Sequence, residues 1–192
     1  MLEGMKILAV FLTTLALVRA ATLEVPGEHA TIQSAIDAAA PGDLVLVSPG
    51  TYHEQLVLRE NVTVRSVGDD EQGTTGLLRA EQTIVDGGER QKTGVTMAEG
   101  STFDGFTVTR VGRYDEAKWE KHHATHGDEQ KHEHIGGYGA PGIGADGVSC
   151  TIRNNIVHHN GDTGIAIRGA EGRLVAPTVS ANHCFRNMGG GI

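Results

Sequence analysis

The chain repeats itself at two fixed offsets, and that restricts its fold more than any other feature. Residues 150–161 run Cys150-Thr151-Ile152-Arg153-Asn154-Asn155-Ile156-Val157-His158-His159-Asn160-Gly161. They align with Ser101-Thr102-Phe103-Asp104-Gly105-Phe106-Thr107-Val108-Thr109-Arg110-Val111-Gly112, 49 positions earlier. Asn155, Asn160, Gly164 and Ile165 then recur as Asn182, Asn187, Gly191 and Ile192, 27 positions later. A unit of roughly 25 residues made of short strands and bends cannot bury its own apolar side, whereas stacked copies bury a continuous core. An Asn at a fixed place in successive turns has two physical uses. It tolerates the left-handed backbone of a sharp bend, and its amide can hydrogen-bond from one turn to the next. Gly supplies a second bend. The repeat therefore predicts an all-β parallel β-helix, with one strand per coil added to each long sheet at ~4.8 Å spacing. An antiparallel β-sandwich would explain short strands and turn residues, but not a fixed offset of 27.

The residues between the repeats fit that solenoid. Short runs rich in Val, Ile, Thr and Phe at 44–47, 55–58, 61–67, 83–85, 95–97 and 103–108 are separated by Gly, Asn, Asp and Pro. One helix is expected over 31–40. Thr31 is its N-cap, Ile32, Ala35, Ile36 and Ala39 share a face, and Pro41-Gly42 ends it. Such a helix covers the end of a solenoid, where apolar side chains and strand edges are otherwise open. The 27 Gly in 192 residues, about twice the usual ~7%, serve bends, because Pro stays at 5 and no Gly-X-Y period exists.

The first twenty residues read as an address. Met5-Lys6 precedes the apolar run Ile7 to Val18, and Val18-Arg19-Ala20 has small residues where a signal peptidase needs them. The expected organisation is a signal peptide at 1–20, a cap at 21–43 and coils over 44–192, with no membrane span after cleavage. The protein is then secreted, periplasmic or at the cell surface. Cys150 and Cys184 could pair there, but their spacing does not demand it, and packing as buried small hydrophobes is the favoured reading. The end at Met188-Gly189-Gly190-Gly191-Ile192 reads as the middle of a coil, so a longer protein, a truncated reading frame or pairing with another chain is expected.

Two segments resemble known proteins. Thr31-Ile32-Gln33-x-Ala35-Ile36-Asp37-x-Ala39, Pro41-Gly42-Asp43 and Pro49-Gly50-Thr51-Tyr52-x-Glu54 resemble the entry segment of the pectin-lyase-like right-handed β-helix superfamily. The Asn-x-Ile-x-x-x-x-Asn-x-x-x-Gly-Ile coils look like NosD-like periplasmic copper-binding proteins and generic β-helix repeats. The resemblance implies the right-handed fold over about residues 22–192. It does not select a reaction, because one fold hosts many chemistries. Gly50-Thr51-Tyr52-His53-Glu54 is similar to an early segment of pectin methylesterases, but their Gln-Asp-Thr and Asp-Phe-Ile-Phe-Gly segments are missing. The Gly-His-Gly and Arg-Ile-Lys of polygalacturonases and the Asp-Pro-His-Asp of alginate epimerases are missing too.

Lyase chemistry needs a base beside a uronate carboxylate and a group, often Ca²⁺, that neutralises that carboxylate. Such bases are typically Lys or Arg. Beyond residue 92 the Lys residues are Lys118, Lys121 and Lys131, all in a polar insert. Arg110, Arg153 and Arg168 are therefore the candidate bases, with Asp104, Asp146 and Asp162 as candidate acids. The insert, residues 113–135, holds five of the ten His and the sole Trp. His122 and His126 share a face if helical, and His132 and His134 share one if extended, so the four are candidate ligands for a transition metal. Trp119, Tyr114 and Tyr138 are candidates for stacking on sugar rings. A net charge of −8 argues against nucleic acid as a partner. Two functions are expected: binding or processing of an acidic or neutral polysaccharide, or a non-catalytic scaffold for adhesion, assembly or metal handling.

Overall fold

The computed structural model describes residues 19–125 and 140–192. Residues 1–18 of the expected signal peptide, and His126, His132, His134 and Tyr138, lie outside them. The described chain is a right-handed parallel β-helix of three sheets. The first strand of each coil belongs to a six-stranded sheet: β1 (Thr22–Val25), β2 (Leu44–Val47), β5 (Thr63–Ser66), β8 (Thr102–Asp104), β11 (Thr151–Arg153) and β14 (Thr178–Ser180). A five-stranded sheet follows after a short bend: β3 (Gly50–Tyr52), β6 (Thr83–Asp86), β9 (Thr107–Thr109), β12 (Ile156–His158) and β15 (His183–Phe185). The third sheet has four strands: β4 (Leu56–Val57), β7 (Val95–Thr96), β10 (Ile143–Asp146) and β13 (Ile165–Arg168).

The two offsets in the sequence are the register of these sheets. Thr151 lies beside Thr102 and Ile156 beside Thr107, while Thr178 lies beside Thr151 and His183 beside Ile156. Because strand side chains alternate faces, register lines identical positions into columns along the axis. Three inward columns make the core: Leu23-Val45-Val64-Phe103-Ile152-Val179, Val85-Val108-Val157-Cys184 and Leu56-Val95-Ile143-Ile165. All but Val179 and Cys184 are buried. Phe103 stacks on Phe106 across the bend with ring centroids 4.4 Å apart. Cys150 and Cys184 are free thiols, both pushed up to about 11 by burial.

Asparagine ladders hold the bends together. Asn155 Nδ2 donates to Asn182 Oδ1 at 3.0 Å, and Asn155 Oδ1 accepts from the Phe106 amide at 3.0 Å. One bend later, Asn160 Nδ2 donates to Asn187 Oδ1 at 3.0 Å, and Asn160 Oδ1 accepts from the Val111 amide at 2.9 Å. Each ladder Asn also donates to a carbonyl, Asn155 to Phe103 and Asn160 to Val108. The ladder residues do not carry the left-handed backbone. The residue before each one does: Asn154 (φ 59°), His159 (53°), Ala181 (52°) and Arg186 (48°), in line with Gly105 (83°) and Arg110 (55°) one coil earlier. Expected use and observed use of Asn thus separate by one position.

The entry segment builds the cap. Helix α1 (Ile32–Ala38) starts at Thr31 with a reciprocal capping box to Ser34 and buries Ile32, Ala35 and Ile36. Glu54 accepts from the first two helical amides, Ile32 at 3.0 Å and Gln33 at 2.9 Å, where a carboxylate also complements the helix dipole. The Gln33 side chain exchanges two hydrogen bonds with the Val57 backbone and so closes the edge of the four-stranded sheet. Asp43 accepts from the Ala21 and Ala40 amides, which hold its carboxyl below the ordinary value. After Pro49 the chain enters strand β3 directly at Gly50. Among the described residues, two further helices lie in excursions from the coils: α2 (Leu78–Gln82) and α3 (Glu116–Ala124).

Asn160→Ala strips the buried Val111 amide of its acceptor and the Val108 carbonyl of its donor. A loss of about 3 kcal/mol is expected from the sum of such unmet groups, read by urea unfolding. Ala181→Asn, which puts a left-handed-tolerant residue at a left-handed bend, is expected to raise stability by about 1 kcal/mol.

Candidate functional site: an imidazole and aromatic strip on the five-stranded sheet

The sequence candidates fall on three different sheets. Asp104 and Arg153 are neighbours in register on the six-stranded sheet, with Arg153 Nε 3.0 Å from Asp104 Oδ2. Arg168 and Asp146 are also neighbours, on the four-stranded sheet, 4.0 Å apart beside a cavity of about 110 Å³. Arg110 ends a strand of the five-stranded sheet and reaches Asp86 at 3.3 Å and Glu89 at 3.8 Å. Asp162 is buried in the bend after β12 and accepts from the Thr163 hydroxyl at 3.4 Å. His122 lies buried on α3. Among the described residues no three His, Cys, Asp or Glu side chains gather into a metal-holding group.

Sequence reasoning missed Arg79, which explains Asp104. The excursion 67–82 returns as a strap over the five-stranded sheet, and Arg79 on α2 plugs it into the corner. Its side chain is 1% exposed. It donates to Asp104 Oδ1 at 2.6 Å, to the Asp104 carbonyl and the Ser66 hydroxyl at 3.0 Å each, and to Asp70 at 2.8 Å. Burial pushes the Asp104 carboxyl up, but the hydrogen bonds from Arg79 and Asn154 and the charges of Arg79 and Arg153 outweigh it. The group ends below the ordinary carboxylate value. Gly105 has φ 83°, and a Cβ there would sit 1.6 Å from Arg79 Nη1. The corner needs Gly because a guanidinium occupies the space.

The strap and α3 flank one strip of the five-stranded sheet. On one side the strap covers the column Thr107-Ile156-His183. Thr107 donates to the Ala80 carbonyl at 2.8 Å, and His183 Nδ1 donates to the Thr75 carbonyl at 2.7 Å. On the other side the left-handed column Arg110-His159-Arg186 meets the α3 arm. Tyr114 packs edge-on against His159 with centroids 4.8 Å apart, Glu116 pairs with Arg186, and Arg186 lies 4.7 Å over the Trp119 ring. Trp119 also stacks on His123 at 4.8 Å. Between these columns runs Asp86-Thr109-His158-Phe185. His158 stacks on Phe185 at 4.9 Å, and its Nδ1 lies 2.6 Å from His159 Nδ1, so one imidazole donates to the other. A cavity of about 310 Å³ opens beside them, lined by Glu89, Thr109, Arg110, Gly112, Tyr114 and His159.

Burial holds both imidazoles toward the neutral form. His158 is lowered to about 4 by burial and by the neighbouring His159 and His183, and His159 is lowered by burial. The strip thus presents flat, neutral rings alternating with hydrogen-bonding groups. The signal in the sequence was the pair His158-His159, which stands inside the repeat rather than in the His-rich insert.

No family model matches the chain, and no curated protein matches it.

Because native His158 binds its proton only near pH 4, the unfolded chain binds more protons between about pH 6.5 and 4. Stability is expected to fall as pH drops through that window, and His158→Gln to flatten the slope, both read by urea midpoints. Asp104→Asn leaves Arg79 with Asp70 as its remaining carboxylate partner and is expected to cost about 3 kcal/mol at pH 7.

Proposed function

We propose that this β-helix is an extracytoplasmic polysaccharide-binding protein, related to the right-handed β-helix repeat proteins that its entry segment and coils resemble. The observation that carries the reading is the strip of rings, Tyr114, His158, His159 and Phe185, beside a cavity with hydrogen-bonding walls. Sugars combine apolar ring faces with hydroxyl rims, and aromatic faces next to planar polar groups suit both. A parallel sheet adds a further match, since its columns run along the axis at a short, fixed spacing and can follow an extended chain.

Binding has more support than lyase chemistry. A base arginine must lose its proton. Arg110, Arg153 and Arg168 each lie against a carboxylate that engages the guanidinium, and an Arg side chain does not give up its proton in a protein. The secretory reading of residues 1–20 supports placement outside the cytoplasm. It accords with the finding that no helix among the described residues is long and apolar enough to cross a membrane.

Isothermal titration with a panel of neutral and acidic oligosaccharides tests the reading. A bound glycan is expected, and Tyr114→Ala is expected to weaken it roughly tenfold while the far-UV spectrum stays unchanged. Unchanged affinity in that variant, or no binding by any glycan, would sink the proposal.

A further inference from the structure

We infer that the strip takes a neutral polysaccharide rather than a uronate; the inference rests on the glycan reading of the same strip. Recognition of a carboxylate needs an uncommitted cation, by preference a guanidinium presenting two parallel donors. The two guanidinium groups of the left-handed column, Arg110 and Arg186, are each engaged. Arg110 is shared between Asp86 at 3.3 Å and Glu89 at 3.8 Å, so that trio carries a net negative charge. Arg186 is held by Glu116 and lies over Trp119.

The remaining polar groups point the same way. His53 contacts the same Asp86 Oδ2 at 3.4 Å and lies outside the cavity lining. His158 and His159 share one proton along their short contact and are kept toward the neutral form by burial. Glu89 itself lines the cavity, together with the Thr109 hydroxyl and the Tyr114 ring. A sugar hydroxyl can donate to Glu89 and accept from Arg110 without displacing either from the other. A uronate carboxylate would face Glu89, with no uncommitted cation among the described residues of the cavity lining to meet it. The net charge of −8 adds a repulsive background for a polyanion.

The test is titration at pH 7.5 with hexasaccharides of matched length. The neutral set contains gluco-, manno- and xylo-oligosaccharides; the acidic set contains oligogalacturonate and oligoguluronate, each with and without Ca²⁺. At least one neutral hexamer is expected to bind, with every uronate at least about tenfold weaker. Glu89→Gln is expected to shift the ratio of uronate to neutral affinity upward by roughly fivefold, because it removes the carboxylate that a uronate would face. A uronate that binds as tightly as the best neutral hexamer would overturn the inference and leave the glycan reading standing. So would one that does so only with Ca²⁺, since the ion would then bridge two carboxylate sets. Absence of binding across both sets overturns both readings.

Discussion

Everything in this protein depends on rungs staying in register. A one-residue slip in a strand sends every inward side chain to the solvent face, so the whole core relies on the pairing of equivalent residues. Two features enforce it. The inward columns of Val, Ile, Leu and Phe are nearly continuous from β1 to β14. The Asn ladders at two successive bends use both ends of the amide, taking a backbone N–H from the coil before and giving an N–H to a carbonyl there. A slipped bend would leave those buried groups unmet, each costing about 1–3 kcal/mol. The ladder therefore acts as a length gauge: whatever a coil inserts, it must return to the same Asn position.

That gauge lets the inserts vary. The excursion 67–82 leaves between the six- and five-stranded sheets, and the α3 segment leaves after the five-stranded sheet in the next coil. Both land on the outer face of the same five-stranded sheet. The site is thus composed of three adjacent columns of one sheet and two excursions from different coils. None of these parts holds the ring strip alone.

Much of this was legible because the repeat is physical. The offset alignment of Thr151 with Thr102 and of Ile156 with Thr107 is the hydrogen-bonded register itself. In the entry motif Thr31 was readable as the helix cap because it acts locally, whereas Gln33 on a sheet edge and Asp43 and Glu54 on amides act more than 20 residues away and had carried only the resemblance. The corners were not legible. Residues 103–108 read as one strand, yet the chain turns at Gly105 and divides it between two sheets. Arg79 gave no signal, because a single Arg in a polar segment looks solvated until a buried Asp104 on a distant strand is known to face it. The ring strip was hidden for a related reason. Its members, Tyr114, His158, His159 and Phe185, are scattered in sequence and meet only through register.

The two walls of the strip are held by different physics, and this shapes what the site can do. The strap is fixed by a buried ion pair in which one guanidinium donates to Asp70, to the Ser66 hydroxyl and to both the carbonyl and the carboxylate of Asp104. Such a contact is costly to break, because Arg79 and Asp104 are both buried while their other partners, Asp70 and Arg153, are far more exposed. The α3 arm is held by exposed contacts: the Glu116–Arg186 pair, the Arg186–Trp119 contact and the Tyr114 ring edge. Exposed pairs are worth at most about 1 kcal/mol and weaken with salt. One wall is therefore rigid and the other adjustable at small cost. The arm can thus shift while the strap and the register of the rungs stay intact.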